Sequence, residues 1–145
     1  MSTVVQFKAA CLSRFRAEAG LSGVQIAWGN PYPARASDEL IIIGDARGRQ
    51  RPTGLGTTAQ EVEYHTPVLI SVAGHSSRSQ QAQEERAWAL FAVIQDSITR
   101  WRTEATPFGG VVSWALVSEW TTAEALSGDV REASITVTIS VEARI

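Results

Sequence analysis

The sequence predicts an α+β fold: a mostly antiparallel sheet with a long hairpin, and two main helices packed on one face, in the order α-β-β-β-α-β-β. Three observations carry that expectation. The closing stretch SITVTISVEARI alternates between apolar and hydroxylated residues, as an antiparallel strand with one dry and one wet face does. The stretch HSSRSQQAQEERAWALFAVIQDSITRW sets its apolar residues at helical spacing. Runs of strand-like sequence, joined by hairpin-like connections, are separated by single helices.

The elements follow in order. Val4 to Ala19 reads as an amphipathic helix with Val4, Phe7, Cys11, Leu12 and Phe15 on its apolar side. Ser2 or Thr3 caps it and Gly20 stops it. VQIAW, residues 24–28, alternates as a strand until Pro31 and Pro33 break the ladder. Glu39 to Ala46 is apolar on both faces from Leu40 to Ile43, the mark of a strand covered on both sides. The stretch GDARGRQRPTGLGTT, residues 44–58, is broken by Gly44, Gly48, Pro52, Gly54 and Gly56, so it reads as a long connection without a continuous regular element. Arg47, Arg49 and Arg51 point the same way wherever that piece is extended.

Glu61 to Gly74 returns to alternation: Val62, Tyr64, Val68, Ile70 and Val72 share one face, Glu61, Glu63, His65, Leu69, Ser71 and Ala73 the other. Pro67 predicts an edge position or a bulge there. This strand and Glu39–Ala46 are expected as the two arms of the long hairpin. The helix over His75–Trp101 offers Ser77 with Gln80 as a capping box and Ser79 as an alternative cap. Its buried stripe is Ala87, Leu90, Phe91, Ile94, Ile98 and Trp101. PFGG ends the next connection, Val111–Trp120 is a strand, TTAEALSGD a turn, and Val130–Ile145 the last strand. Its residues Ile135, Val137, Ile139, Val141 and Ala143 face one way.

Composition narrows the function classes. The 145 residues fit one domain, taken as 1–145, and the net charge of −2 lacks the basic balance of a duplex binder. The single cysteine, Cys11, permits no internal disulfide and suits a reducing compartment. No signal peptide and no membrane-spanning run is visible, so a soluble protein made in the cytoplasm is expected. Five tryptophans are many for a small domain to cover completely, and partly exposed aromatics favour protein contacts.

Tests for chemistry return little. GLGTT lacks the spacing and the lysine of a phosphate-binding loop, and a strand follows it where a helix is needed. His65 and His75 have no second ligand at metal spacing. Cys11 sits on the apolar side of a helix, where a thiol behaves as a small hydrophobe. Glu61 and Glu63 share one strand face and read as a solvated or intersubunit surface. No catalytic, cofactor-binding or metal-ligating residue is therefore assigned. The arginine run lacks the neighbouring basic and stacking residues of a nucleic-acid site, and is read as a solvated loop or as a contact with an acidic protein surface.

The order of these pieces resembles the tail terminator proteins of long-tailed bacteriophages. The resemblance rests on the opening helix, VQIAWGNPYPA, the hairpin with its basic Gly-rich tip, VLISVAGHSSRSQQAQEERAWALFAVIQDSI, and the final SITVTISVEARI. It implies a structural virion protein in the tail-neck region, assembled in the host cytoplasm, without catalytic residues or cofactor. It implies a ring, commonly of six copies, that caps the tail tube and stops its polymerisation. The ring would contact itself, the major tail tube protein and the head–tail connector, with DNA only passing through the lumen and no membrane involved. Arg47, Arg49 and Arg51 are then the interaction loop, and Trp28 and Trp120 interface aromatics. Two alternatives stay open: another neck or tail-completion protein, and a small ligand-binding, enzymatic or nucleic-acid-binding α+β domain using the His65/Glu63 face or the arginines. Self-association, as a stable ring or only on tube ends, separates the terminator reading from a monomer with salt-sensitive DNA affinity.

Overall fold

The structure, a computed structural model, describes residues 3–30, 37–52 and 60–144. Helix α1 (Thr3–Ala17) is followed by a short 3-10 turn, then by strands β1 (Gln25–Trp28), β2 (Glu39–Ile43), β3 (Arg47–Pro52) and β4 (Gln60–His75). Helix α2 (Gln80–Arg102), a second 3-10 turn, and the hairpin of β5 (Trp114–Ser127) and β6 (Val130–Arg144) complete the order. The expected α+β architecture is present, with one strand more than the sequence announced.

The sheet runs β1-β2-β4-β6-β5, and β3 also pairs with β4. All pairs are antiparallel except β1–β2, which is parallel. Strand β4 is the spine. One of its edges meets β6 from Glu61 to His75, so β2 and β3 must share the other edge. There β2 takes Val68 to Val72, and β3 takes Gln60 to His65. The expected hairpin arm thus exists as two strands in line.

Pro67 faces the gap between those strands. Its carbonyl accepts from Gly44 N–H at 2.8 Å, and a strand residue points its nitrogen and its carbonyl to the same edge. The missing donor therefore falls where no regular ladder bond is due. Pro67 does not mark an edge strand: β4 is paired on both sides.

The helices cover one face. Even-numbered residues of β4 and odd-numbered residues of β6 face them, and Val68, Ile70, Val137 and Ile139 are all sealed. From α1, Phe7, Cys11 and Phe15 enter this core as expected, and from α2 the full predicted stripe does. Phe7 stacks on Trp101 at 5.9 Å and meets Tyr64 edge-on at 6.3 Å, tying both helices to β4. Each such ring or aliphatic chain contributes about 1.5–3 kcal/mol. Phe108 packs edge-on against Trp101 at 5.4 Å and holds φ at +54° to do so. The ring's burial outweighs the left-handed backbone, which costs about 1–3 kcal/mol.

Several local expectations need correction. Arg47–Pro52 is strand β3 and not a loop, because Gly48 lets it approach β4 closely. The stretch TTAEALS continues β5, and the turn is only Gly128–Asp129. Ser79 caps α2, accepting from Ala82 N–H at 3.3 Å, while His75 still belongs to β4 and bonds Ser77. Gly20 lies within the 3-10 turn and does not end α1. Ser2, Ile145, the proline turn after Gly29 and the Gly-Thr cluster lie outside the described residues.

Candidate interaction surface

The face of the sheet opposite the helices has no element over it among the described residues. Its composition changes along the strands. Toward β1 and β2 it is apolar, with Leu40 buried and Ile42 and Leu69 half-buried. Toward β3 it is charged, and register decides who meets whom. Arg49 lies opposite Glu63, Glu63 opposite Glu142, and Glu142 opposite Trp114, one row across four strands. The next row is Arg47, His65, Ser140 and Leu116. Two carboxylates directly opposite each other repel, and the guanidinium at the end of the row offsets that.

Arg47 and Arg49 are exposed and project from this face together, as expected of alternate residues on an extended piece. Arg51 follows the same register opposite Glu61; the side chains of both lie outside the described residues. Arg47 lies opposite His65. Gly48 between them is required: a β-carbon there would stand 2.4 Å from the Glu63 carbonyl oxygen. The three arginines are therefore carried on a strand paired with β4 and not on a free loop.

Glu63, His65, Trp114, Ser140 and Glu142 line a half-open cavity of about 190 Å³. His65 Nδ1 lies 2.8 Å from Ser140 Oγ, which lies 2.7 Å from Ser118 Oγ, and Ser118 donates to the Thr138 carbonyl at 3.3 Å. This is a cross-strand polar chain on an exposed face. The Ser140–His65 contact has nucleophile-and-base spacing, as does Ser77–His75, but both histidines are exposed. Cys11 is fully buried, and burial pushes its thiol far above the ordinary range despite nearby Arg14, the opposite of an activated thiolate. Among the described residues no three His, Cys, Asp or Glu side chains gather as a metal site. No helix among them is long and apolar enough to cross a membrane.

The second exposed feature is the β5–β6 hairpin. Every residue from Ser118 to Val130 is exposed, including Trp120, Leu126 and Val130. Trp120 is anchored edge-on to Trp88 of α2 at 5.0 Å, and Trp28 lies under Lys8 of α1 at 4.9 Å. Both predicted aromatics are exposed, but they sit on the helix side, away from the arginines. The sequence reading missed Trp114, Glu142, Ser140 and Leu126 as surface partners. Only the pairing register reveals them, since each comes from a distant part of the chain.

No protein-family profile and no curated protein matches the chain. Among solved structures it is similar to a chain of "Virion of native gene transfer agent (GTA) particle", with a TM-score of 0.61, 15% identity and 93% of each chain covered. At that identity the likeness is one of fold, and it extends over nearly the whole of both chains.

Proposed function

We propose that this chain is a structural virion protein that closes into a ring, commonly of six copies, on the end of a phage-type tail tube. The ring stops tube growth, presents its far side to the head connector, and lets DNA pass through its lumen. It does this by surface contact and not by a reactive group. The observation that carries the reading is the fold likeness to a chain of a gene transfer agent virion across 93% of both chains. The projecting hairpin and the uncovered sheet face support it, since a ring needs two different surfaces that fit each other. Arg47, Arg49 and Arg51 face a protein neighbour in this reading, because phosphate-gripping arginines would impede sliding DNA.

The test is tube length. Particles made without the chain should carry overlong or ragged tubes without heads, and purified chain added to polymerising tube protein should arrest growth. Tubes of normal length in its absence would overturn the terminator reading. Replacing all three arginines by Ser should leave the far-UV spectrum unchanged, since β3 is held by its backbone, and should reduce joining of heads to tails or of copies to each other. Unchanged assembly would place those side chains in solvent.

A further inference from the structure

The sheet has two long open borders that fit each other. Among the described residues, β3 on one side pairs only with β4, and β5 on the other pairs only with β6. The β1 border is occupied differently: α1 packs beside it and Arg16 donates to the Ile26 carbonyl at 2.9 Å. An exposed border of unpaired main-chain groups is normally blunted or covered. A bulge at Ser118 interrupts β5, yet Glu119 to Ser127 stays regular.

Direction and side chains agree. β3 is antiparallel to β4, β4 to β6, and β6 to β5, so β3 and β5 run oppositely within one copy. Two copies set side by side with the same face outward bring β5 of one against β3 of the next as an antiparallel pair, with neither inverted. β3 borders a groove of about 460 Å³ whose lining includes Val4, Gly48, Arg49, Gln50, Val62 and Tyr64. On the helix side β5 presents Trp120 and Leu126, 55% and 59% exposed. On the open side β3 presents Arg47 and Arg49, and β5 presents Glu119. The distal part of the hairpin, residues 118–132, is acidic: Glu119, Glu124, Asp129 and Glu132 stand against Arg131.

We propose that the β5 border of one copy adds as an antiparallel strand to the β3 border of a second copy, with Trp120 and Leu126 over its groove and its arginines against the acidic hairpin. The contact is heterologous, so repetition closes a ring or runs on as a filament. It deepens the ring reading above and names the surfaces that would build it.

Mixed-chain cross-linking tests this. Arg49→Cys chains are combined with chains carrying Glu119→Cys, Thr121→Cys, Ala123→Cys or Ala125→Cys, all on the open side; Thr122→Cys, on the helix side, is the control. Native Cys11 is fully buried and does not compete. A mixed covalent dimer is expected at one open-side position or two neighbouring ones and not at the control, because a disulfide needs β-carbons roughly 4 Å apart. Arg47→Glu with Arg49→Glu should weaken self-association at least about a hundredfold, since like charges set across an interface cost several kcal/mol. Adding Glu119→Arg should recover part of it. No cross-link at any of the four positions, or a chain that stays monomeric at about 1 mM, overturns the inference. A chain that arrests tube growth without cross-linking keeps the proposed function and loses this contact; one that cross-links without affecting tubes does the reverse.

Discussion

Gly48→Ala isolates the step that makes a strand of a sequence that reads as a loop. Gly48 lies opposite Tyr64, and a methyl there would stand 2.4 Å from the Glu63 carbonyl oxygen, 2.4 Å from Tyr64 Cβ and 2.9 Å from Tyr64 Cα. None of these is the loose end of a side chain. β4 cannot retreat, because β6 pins its other edge from Glu61 to His75 and the Tyr64 ring is wedged against Phe7. The strain must therefore move β3. Forcing one methyl into a filled site costs about 1–3 kcal/mol. The upper end is capped by the option of peeling β3 away, since among the described residues it has a single partner strand. A loss of about 1–2 kcal/mol is expected in denaturant unfolding, together with faster amide exchange across Arg47–Pro52 and unchanged exchange in β6. Gly128→Ala is the control. Its φ is +58° and no atom lies within 4 Å of the added carbon, so only the left-handed backbone counts, at about 1 kcal/mol and without effect on β3. Wild-type stability in Gly48→Ala, with β3 amides still protected, would refute the close approach and the register built on it.

Three further outcomes follow from single contacts. Thr66 is fully buried, opposite Ile139, and its hydroxyl has no partner among the described residues, so the isosteric Thr66→Val should raise stability by about 1 kcal/mol; a lower melting temperature would mean the hydroxyl is bonded. Arg86 grips Glu39 at 2.6 and 2.9 Å, and this hydrogen bond holds the carboxyl below its ordinary range against a desolvation penalty. The unfolded chain then takes up the proton first, so the contribution is full above about pH 4.3 and fades as pH falls through the lowered folded value. For so exposed a pair it amounts to about 0.5–1 kcal/mol, and Glu39→Gln should flatten the acid limb of stability against pH; an identical limb would discount the pair. Leu126→Lys should change monomer stability by no more than about 0.5 kcal/mol, because the side chain is mostly in water, while reducing self-association measured by sedimentation.

What was legible in the sequence was whatever burial had patterned. β4 and β6 alternate because one face of each is sealed, and α2 shows its stripe because Leu90, Ile94 and Ile98 all enter the same core. Elements held by backbone pairing alone left no such mark. β3 is Arg-Gly-Arg-Gln-Arg-Pro, wet on its described side chains, and its order comes from a partner some fifteen residues later in the chain. The distal half of β5 is exposed on both faces, so TTAEALS carries no apolar rhythm and imitates a turn. Pro67 misled for a related reason: its meaning depended on a gap between two other strands. The site was legible in the same proportion. Alternation alone put the arginines on one face, but Glu142, Trp114 and Ser140 join them only through the register of β6 with β4 and β5.

A sheet covered on one face must keep the other compatible with water or give it a partner, and this chain divides the two solutions between its parts. The central strands carry Thr and Ser on the open side, and the chain from His65 through Ser140 to Ser118 satisfies their polar groups locally at 2.8 and 2.7 Å. That surface is stable as it stands. The rim is different: Trp120, Leu126 and Val130 sit on an exposed hairpin, where packing within the monomer leaves 55%, 59% and 49% of them in water. Folding gains little from apolar residues there, and solubility would favour charge. The proposed strand addition would explain their placement by what the hairpin meets and not by what holds it up. The same logic applies to Arg47, which lies opposite a histidine and projects from an otherwise ordinary strand. The core residues account for why the chain folds, and three of its exposed large apolar side chains, Trp120, Leu126 and Val130, stand on the β5–β6 hairpin.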